Sequence, residues 1–218
     1  MSSAKLILAS RSPRRAALLR EAGYRFDQLD PPFDDPPHPR AIDDHSPGQL
    51  AAALARRKAE SLRAALRNDP QSVHRVLLAA DTICVGVDGG LIGQPQTLEQ
   101  ARAILLSFTH HEHEVVTGVA LLALDSGNIE SFSDTAVVIF GQLDTTTLNS
   151  YLDSGQWRGK AGGYNLFDRQ AAGWPVRCAL ASDPTTVVGL PMRRLRPMLQ
   201  SWNVRPESSA TTGRGPSV

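Results

Sequence analysis

Two serines and two arginines near the N-terminus have the types and spacing of a phosphate-binding site. Ser10 and Ser12 precede Arg14 and Arg15, with Pro13 between the two pairs. Ser12 suits the N-cap of a helix, and Pro13 suits the first helical position, where the amide proton that it lacks has no partner. Backbone N–H groups at a helix start, helped by guanidinium groups, bind anions. The segment predicts such a site, and an ordinary capped helix with two solvated arginines is the alternative.

Carboxylates at two places in the chain are candidates for catalysis and metal binding. Asp81 and Thr82 follow the apolar run Val76–Ala80, which predicts a buried strand. Open α/β sheets bind ligands at strand ends, so we expect a chemical role for Asp81; an aspartate that merely starts a turn is the alternative. Asp34 and Asp35 stand in a proline-rich loop and would join Asp81 as hard oxygen ligands for Mg²⁺ or Mn²⁺ if the loop covers the crevice. Taken alone, that pair indicates a solvated loop.

Two lysines and a histidine-rich run complete the candidates. Lys160 lies among glycines in Gly159-Lys-Ala-Gly-Gly163, where the backbone can come close to a phosphate, although the segment lacks the Walker pattern. Lys58 lies on an amphipathic helix that begins after Ser46, a place where most lysines are only solvated. The run Thr109-His-His-Glu-His-Glu114 has metal-binding residue types but no standard spacing, and we interpret it as a solvated loop.

The overall composition excludes several classes of protein. The 218 residues are 41% apolar and carry a formal charge of +1, which gives no global basic field for nucleic acid or anionic membranes. Two cysteines make no disulfide framework, so a reducing compartment fits best. Because we find neither a secretory segment nor an apolar stretch of membrane-spanning length, we expect a cytosolic protein. A homodimer is compatible with the sequence, which does not determine the oligomeric state.

Helical and strand patterns alternate along the chain, which indicates an α/β fold around a mixed sheet. We predict one domain over residues 1–203 and a disordered tail over 204–218, which is rich in Ser, Thr, Gly, Pro and Arg. The predicted strands are 5–9, 76–80, 83–87 paired with 91–92, 114–124, 134–140 and 185–188. The predicted helices begin near Pro13, Ser46, Thr97, Asp144 and Met192. Ser46, Thr97 and Asp144 are the predicted capping residues of the middle three.

Taken in order, several segments resemble the Maf proteins, which are nucleoside triphosphate pyrophosphatases related in fold to the inosine triphosphate pyrophosphatases. The resemblance runs from Leu6 to about Leu199. It implies an elongated α/β fold with a mixed sheet and a deep cleft between two lobes, and hydrolysis of nucleoside triphosphates to monophosphate and pyrophosphate. The matching segments are Ala9-Ser-Arg-Ser-Pro-Arg-Arg15, Leu54-Ala-Arg-Arg-Lys-Ala59, Ala80-Asp-Thr82, Val116-Thr-Gly-Val119, Ser154-Gly-Gln-Trp-Arg-Gly-Lys-Ala-Gly-Gly-Tyr164 and Val188-Gly-Leu-Pro191.

The resemblance also implies roles for single residues. Asp81 matches the active-site aspartate, and Asp35, or failing that Asp34, matches an acidic residue given to the divalent metal, which Asp81 would also bind. The positions linked to substrate choice are Arg14, Thr82 and Phe167, and the positions that bind phosphate are Ser10, Arg15, Lys58 and Lys160.

Two substrate-binding positions depart from the family pattern. Gln94 stands where the family usually has a lysine, so one phosphate contact loses its charge. Phe167 stands where pyrimidine-preferring members have a glutamine that would face the base, so a preference for dTTP or UTP does not carry over, and modified or purine nucleotides stay open. We expect an enzyme that removes non-canonical or surplus nucleotides. The alternative is a nucleotide-binding regulator, linked to septum formation, whose chemistry has decayed through Gln94.

Overall fold

A mixed sheet of seven strands organises the protein in the computed structural model, which describes residues 5–33, 46–67, 69 and 74–207. The strand order is β2-β1-β3-β5-β6-β7, and β4 pairs with the far end of β3. The pairs β1–β2 and β1–β3 are parallel, and all other pairs are antiparallel. The predicted mixed α/β fold is therefore confirmed. The strands are β1 Lys5–Ala9, β2 Phe26–Leu29, β3 Arg75–Val85, β4 Leu91–Ile92, β5 Glu112–Ala123, β6 Ile129–Phe140 and β7 Val176–Cys178.

Seven α-helices in the described chain connect the strands, and several begin where the sequence predicts. Ser12, Ser46, Thr97 and Asp144 each accept a hydrogen bond from a backbone N–H of the first turn, as N-cap residues do. A short 3₁₀ turn covers Ala161–Gly163. The helices are α1 Pro13–Glu21, α2 Pro47–Ala65, α3 Leu98–Phe108, α4 Thr145–Asp153, α5 Leu166–Ala171, α6 Pro184–Val188 and α7 Met192–Ser201. None of these helices has both the length and the apolar character that crossing a membrane requires.

The sheet is covered on both faces, which explains the continuous apolar runs in its strands. Along β1, Ile7 packs with residues of α2, whereas Leu6 and Leu8 pack with residues of α1 and α7. Successive side chains of a strand point to opposite faces, so α2 lies on one face and the other two helices lie on the opposite face.

The predicted end of a strand at Asp81 is wrong, because β3 continues through Asp81 and Thr82 to Val85. The strand that ends is β1, whose last residue, Ala9, pairs with Ala79 of β3. From Ala80 to Ile83, β3 keeps its antiparallel partner β5 but has no strand on its other side, where β4 pairs only at Cys84 and Val85. The crevice that the sequence placed at the end of β3 therefore lies at the carboxyl end of β1, and Asp81 faces it from the middle of a longer strand.

The predicted strand at 185–188 is also wrong. These residues form most of α6, because Asp183 caps the helix, Pro184 occupies its first turn, and Gly189 ends it in a left-handed conformation at φ 112°. Those three residues are ordinary helix start and stop signals, but the β-branched run Thr185-Thr-Val-Val188 obscured them. Strand β6 also begins earlier than predicted, at Ile129.

The histidine-rich run is not the loop that the sequence predicts over its whole length. It enters β5 at Glu112, and His113 is 2% exposed with its ring stacked on Phe108 at 3.8 Å between centroids. His110 and His111 remain exposed. No group of three or more His, Cys, Asp or Glu side chains in the described ranges is arranged to bind a metal.

The first four residues of the predicted tail are folded against the domain. Val204 is buried with the α1 and α7 side chains, and the N–H of Glu207 donates to the carbonyl of Gly23. Arg25 pairs with the Glu207 carboxylate at 2.8 Å. The packed chain thus extends to Glu207, and the rest of the predicted tail lies outside the described residues.

Candidate active site

A cleft of about 570 Å³ opens beyond the carboxyl end of β1. Its described lining includes five basic side chains, Arg11, Arg14, Arg15, Lys58 and Lys160, but only two carboxylates, Asp30 and Asp81. Arg11 and Asp30 are exposed and pair with each other at 2.7 Å. The excess of positive charge suits a polyanionic ligand.

Lys58 and Asp81 form a shielded ion pair in this cleft. The Nζ atom of Lys58 lies 2.6 Å from Oδ1 of Asp81, and each side chain is only 12% exposed. Oδ2 of Asp81 has no hydrogen-bond partner in the described chain, so this oxygen is left to face a ligand. The ring of Phe33 lies 5.8 Å from Nζ and helps to shield the ammonium group from water.

The position of Lys58 depends on a close approach between α2 and the sheet. Gly118 of β5 pairs with Asp81 across the sheet, and a Cβ atom at Gly118 would lie 2.1 Å from the carbonyl carbon of Ala51. Only glycine therefore allows α2 to lie directly on β5 next to Asp81. Lys58 follows Ala51 by two turns on the same helix, which brings its ammonium group to the carboxylate.

Ser10 and Arg15 are held together at the start of α1. Oγ of Ser10 accepts hydrogen bonds from the backbone N–H of Ser12 and from Nη1 of Arg15, at 3.1 and 3.2 Å. With its lone pairs so occupied, the Ser10 hydroxyl retains a proton that it can donate to an anion. The N–H of Arg14 in the first turn has no acceptor in the described ranges, so it also remains available.

A chain of hydroxyl groups anchors Arg15. Its Nη2 donates to Oγ1 of Thr82 at 3.0 Å, and that oxygen lies 2.9 Å from Oγ1 of Thr117. Thr117 donates its single proton to the carbonyl of Thr186 at 2.8 Å, so the proton between the two threonines must come from Thr82. Nε of Arg15 donates to the carbonyl of Gly189 at 2.9 Å. Thr82 therefore holds the guanidinium group of Arg15 in place, and its own proton is already donated to Thr117. We call Ser10, Arg15, Lys58, Asp81 and Thr82 the strand-end cluster.

The opposite side of the cleft is a wall of loop residues, Gln94, Lys160, Tyr164 and Asn165, which we call the loop wall. Buried aromatic residues hold its backbone. The hydroxyl of Tyr151 donates to the carbonyl of Gly163 at 2.8 Å, and the hydroxyl of Tyr164 lies 2.7 Å from Nε2 of His113. The left-handed Gly162, at φ 70°, passes close to Cys84 and Phe108, where a Cβ atom would meet Sγ at 3.1 Å.

Burial and mutual repulsion affect the cations at this wall. Burial lowers the pKa of Arg14, and the carboxylate of Asp168 works in the opposite direction. Burial and the nearby Arg14 charge lower the pKa of Lys160, whose ammonium group donates to the carbonyl of Gln156. Arg14 makes no hydrogen bond or ion pair with a described residue. An anion between these two cations would therefore be bound strongly.

The structure brings together most of the residues that the sequence predicts for substrate binding. Ser10, Arg14, Arg15, Lys58, Asp81, Thr82, Gln94 and Lys160 all line the cleft. Phe167 is different, because it lies on α5, is 40% exposed and is absent from the described lining. Asp35 and Asp34 lie outside the described residues. Asn165 also lines the cleft and is not among the predicted residues. The signal that could have located it is its place three residues before Asp168, which is typical of a helix start.

Comparison with known proteins agrees with this arrangement. The chain matches the family described as Maf-like protein over residues 5–202. It is 39% identical over 194 residues to a dTTP/UTP pyrophosphatase of Rhizobium meliloti (strain 1021), with 86% of this chain and 87% of the relative covered. It is 34% identical over 198 residues to a dTTP/UTP pyrophosphatase of Carboxydothermus hydrogenoformans, with 91% and 98% covered. A dTTP/UTP pyrophosphatase of Salinibacter ruber is 36% identical over 193 residues, with 88% of each chain covered. The chain is a member of the Maf family.

Proposed function

We propose that this protein hydrolyses nucleoside triphosphates to the monophosphate and pyrophosphate, with dTTP and UTP as the first candidate substrates. The observation that carries the proposal is the Lys58–Asp81 pair, at 2.6 Å, inside a cleft in which most of the other charged groups among the described residues are cations. The names of the relatives from Rhizobium, Carboxydothermus and Salinibacter support both the reaction and the bases.

The triphosphate would lie along the basic lining of the cleft. Ser10 donates its hydroxyl proton, and the first turn of α1 adds an unpaired N–H and the positive end of the helix dipole. Arg15 is held in place by Thr82 and Gly189, so it binds phosphate without first losing side-chain freedom. Arg14 and Lys160 would hold the other end of the chain of phosphates by charge-assisted hydrogen bonds.

Asp81 would accept a proton from the attacking water at Oδ2, its oxygen not bonded to Lys58. The water oxygen forms a bond to the α-phosphorus, and the bond from that phosphorus to the α,β-bridging oxygen breaks, which releases pyrophosphate. Lys58 fixes the orientation of the carboxylate and adds positive charge beside the phosphorus, where negative charge develops. The hydrophobic cover provided by Phe33 strengthens these interactions by excluding water.

A divalent cation fits the donor set, although the described chain does not form a complete metal site. Mg²⁺ is commonly bound by one or two carboxylates together with substrate phosphates, and the cleft offers Asp81 and, at its rim, Asp30. Asp35, by its resemblance to the family, is a further candidate ligand. A bound Mg²⁺ or Mn²⁺ would supply Lewis-acid stabilisation of the phosphate oxygens.

The direct test is pyrophosphate release from a panel of common and modified nucleoside triphosphates, with Mg²⁺ or Mn²⁺. We expect turnover by the parent and a loss of at least about a thousandfold in Asp81→Asn, which keeps the shape of the side chain but removes the base. Asp88→Asn is the matched control, since it removes an exposed carboxylate outside the described lining of the cleft, keeps the hydrogen bond from the N–H of Gly90, and should retain the activity. Turnover that survives Asp81→Asn would contradict the assigned role.

A role as a nucleotide-binding regulator is not favoured, because the relatives of this chain are named as pyrophosphatases and the Lys58–Asp81 pair is intact.

We also propose a cytosolic location. Both cysteines are unpaired, and burial raises the pKa of Cys84 to about 12, which fits a packing role. A non-reducing gel of the protein from cells should show no disulfide-linked form.

A further inference from the structure

The position that the family resemblance links to base recognition does not contribute to the described lining of the cleft. A glutamine at position 167 would face the base in pyrimidine-preferring members, but Phe167 is 40% exposed and lies outside the described lining of the cleft. Asn165, two residues earlier, does line the cleft and is only 8% exposed. It is the polar amide that the loop wall presents from a buried position.

The hydrogen bonds of Asn165 determine which of its atoms can meet a ligand. The residue is the N-cap of α5, and its Oδ1 accepts from the backbone N–H of Asp168 at 3.2 Å. This bond identifies Oδ1 as the atom turned toward the helix, which leaves the two protons of Nδ2. Nδ2 donates to no described residue. Nδ2 stays accessible to solvent at the cleft, so a ligand carbonyl can take the place of water as its acceptor.

The other groups in this part of the cleft are suited to the flat faces of a base. Val115, Ala161 and Val187 line the cleft and pack in the same apolar cluster as Tyr164 and Leu166, the sequence neighbours of Asn165. Binding sites for small molecules usually combine such apolar surfaces with a few polar groups that fix orientation. The ring of Tyr164 is already packed among Phe108, His113 and Phe140, so it is not available to read the edge of a base.

We propose that Nδ2 of Asn165 donates a hydrogen bond to the 4-carbonyl of a uracil or thymine base and so determines specificity, which rests on the nucleotide hydrolysis proposed above. Uracil and thymine present an acceptor oxygen at this position, whereas cytosine presents an amino group that is itself a donor. Two donors cannot pair, so the site rejects cytosine as well as favouring thymine and uracil. The base-reading function of the glutamine thus moves from position 167 to position 165.

Asn165→Ser tests this assignment because serine keeps an N-cap acceptor for α5 but removes the amide donor. We expect the ratio of kcat/KM for UTP to that for CTP to fall about tenfold, the usual effect of one neutral hydrogen bond. Asn165→Asp, which replaces the donor with an acceptor, should lower the ratio further. Phe167→Ala is the control on the same helix and should leave the ratio within about twofold.

Three outcomes would overturn the assignment. They are an unchanged ratio in Asn165→Ser, an equal loss for both substrates in that variant, and a ratio that changes only in Phe167→Ala. Calorimetric binding of UTP and CTP to the parent and to Asn165→Ser, with Ca²⁺ in place of Mg²⁺, gives the same comparison without turnover. If the parent hydrolyses no triphosphate, the proposed reaction fails, and the binding ratio still decides whether Asn165 reads the base.

Discussion

The strand-end cluster and the loop wall face the same cleft but differ in how they are held. In the strand-end cluster, Asp81 is bonded to Lys58, and Arg15 is bonded to Ser10, Thr82 and the Gly189 carbonyl. In the loop wall, the side chain of Gln94 has no hydrogen bond to a described residue, and the amide of Asn165 is only half used. A preorganised cluster suits the charge that develops during reaction, and an open wall suits the recognition of a ligand.

Replacement of one lysine on each side of the cleft should show the largest difference between the strand-end cluster and the loop wall. Lys58→Met leaves the Asp81 carboxylate buried without its partner, so we expect kcat to fall by about two to three orders of magnitude. Lys160→Met removes a half-exposed cation that already bonds to Gln156, and we expect mainly a rise in KM, of about tenfold. Steady-state kinetics of both variants with UTP would separate the two effects. Equal losses of kcat would show that the two sides do not differ in function.

Gly118→Ala should disrupt the strand-end cluster without changing any of its side chains. The new Cβ atom would lie 2.1 Å from the backbone of α2, so the helix must move away from β5 and carry Lys58 with it. We expect a loss of about 3 kcal/mol or more in the free energy of unfolding, measured by urea denaturation, because overpacking against backbone is poorly relieved. Gly93→Ala, where a Cβ atom meets nothing within 4 Å, is the control and should change stability by less than about 0.5 kcal/mol.

Some parts of the strand-end cluster could be predicted from the sequence, and others could not. The capped start of α1 and the long α2 were predictable because their signals are local, namely Ser12 with Pro13 and the Ser46 capping box. The position of Asp81 within β3 was not, because it depends on where β1 ends. The length of β3 depends on its pairing with β5, a strand distant in sequence, so the residues around Asp81 alone do not reveal it.

The loop wall was harder to predict than the strand-end cluster. Its backbone depends on contacts far apart in sequence, such as Tyr164 with His113, and the residue types around His113 favour a solvated loop, whereas the structure places His113 in β5. Helix α6 was missed because β-branched residues favour strands in general, whereas Asp183 and Gly189 favour a helix at this place. The role proposed for Asn165 depends on the exposed position of Phe167, which the sequence does not reveal.

His113 links the loop wall to pH. Burial lowers the pKa of His113 from 6.5 to about 4, and its Nδ1 has no hydrogen-bond partner among the described residues. The unfolded chain takes up a proton below about pH 6.5, but the folded protein does so only near pH 4, so stability is lost as the pH falls through this window. The contribution lost by pH 5 is about 2 kcal/mol.

Urea denaturation at pH 7.5 and pH 5 would measure this loss in the parent and in His113→Gln. The glutamine cannot titrate but can still bond to the hydroxyl of Tyr164. The free energy of unfolding of His113→Gln should therefore fall between pH 7.5 and pH 5 by about 2 kcal/mol less than that of the parent. His111→Gln removes an exposed histidine from the same segment and should behave as the parent does. If His113→Gln shows the full loss, the wall is not sensitive to pH through His113.

Gln94→Lys, which adds a cation to the loop wall, should change the kinetics only slightly. Gln94 is exposed at the rim of the cleft, so a cation there would attract the triphosphate mainly through solvent. We expect KM to fall about threefold at low ionic strength, with little change in kcat, and the gain to vanish near 0.5 M salt. Gln96→Lys adds the same charge outside the described lining and should leave KM unchanged. If the parent is inactive and Gln94→Lys is active, the strand-end cluster alone does not suffice for catalysis, and the chain is a nucleotide-binding protein that lacks one essential cation.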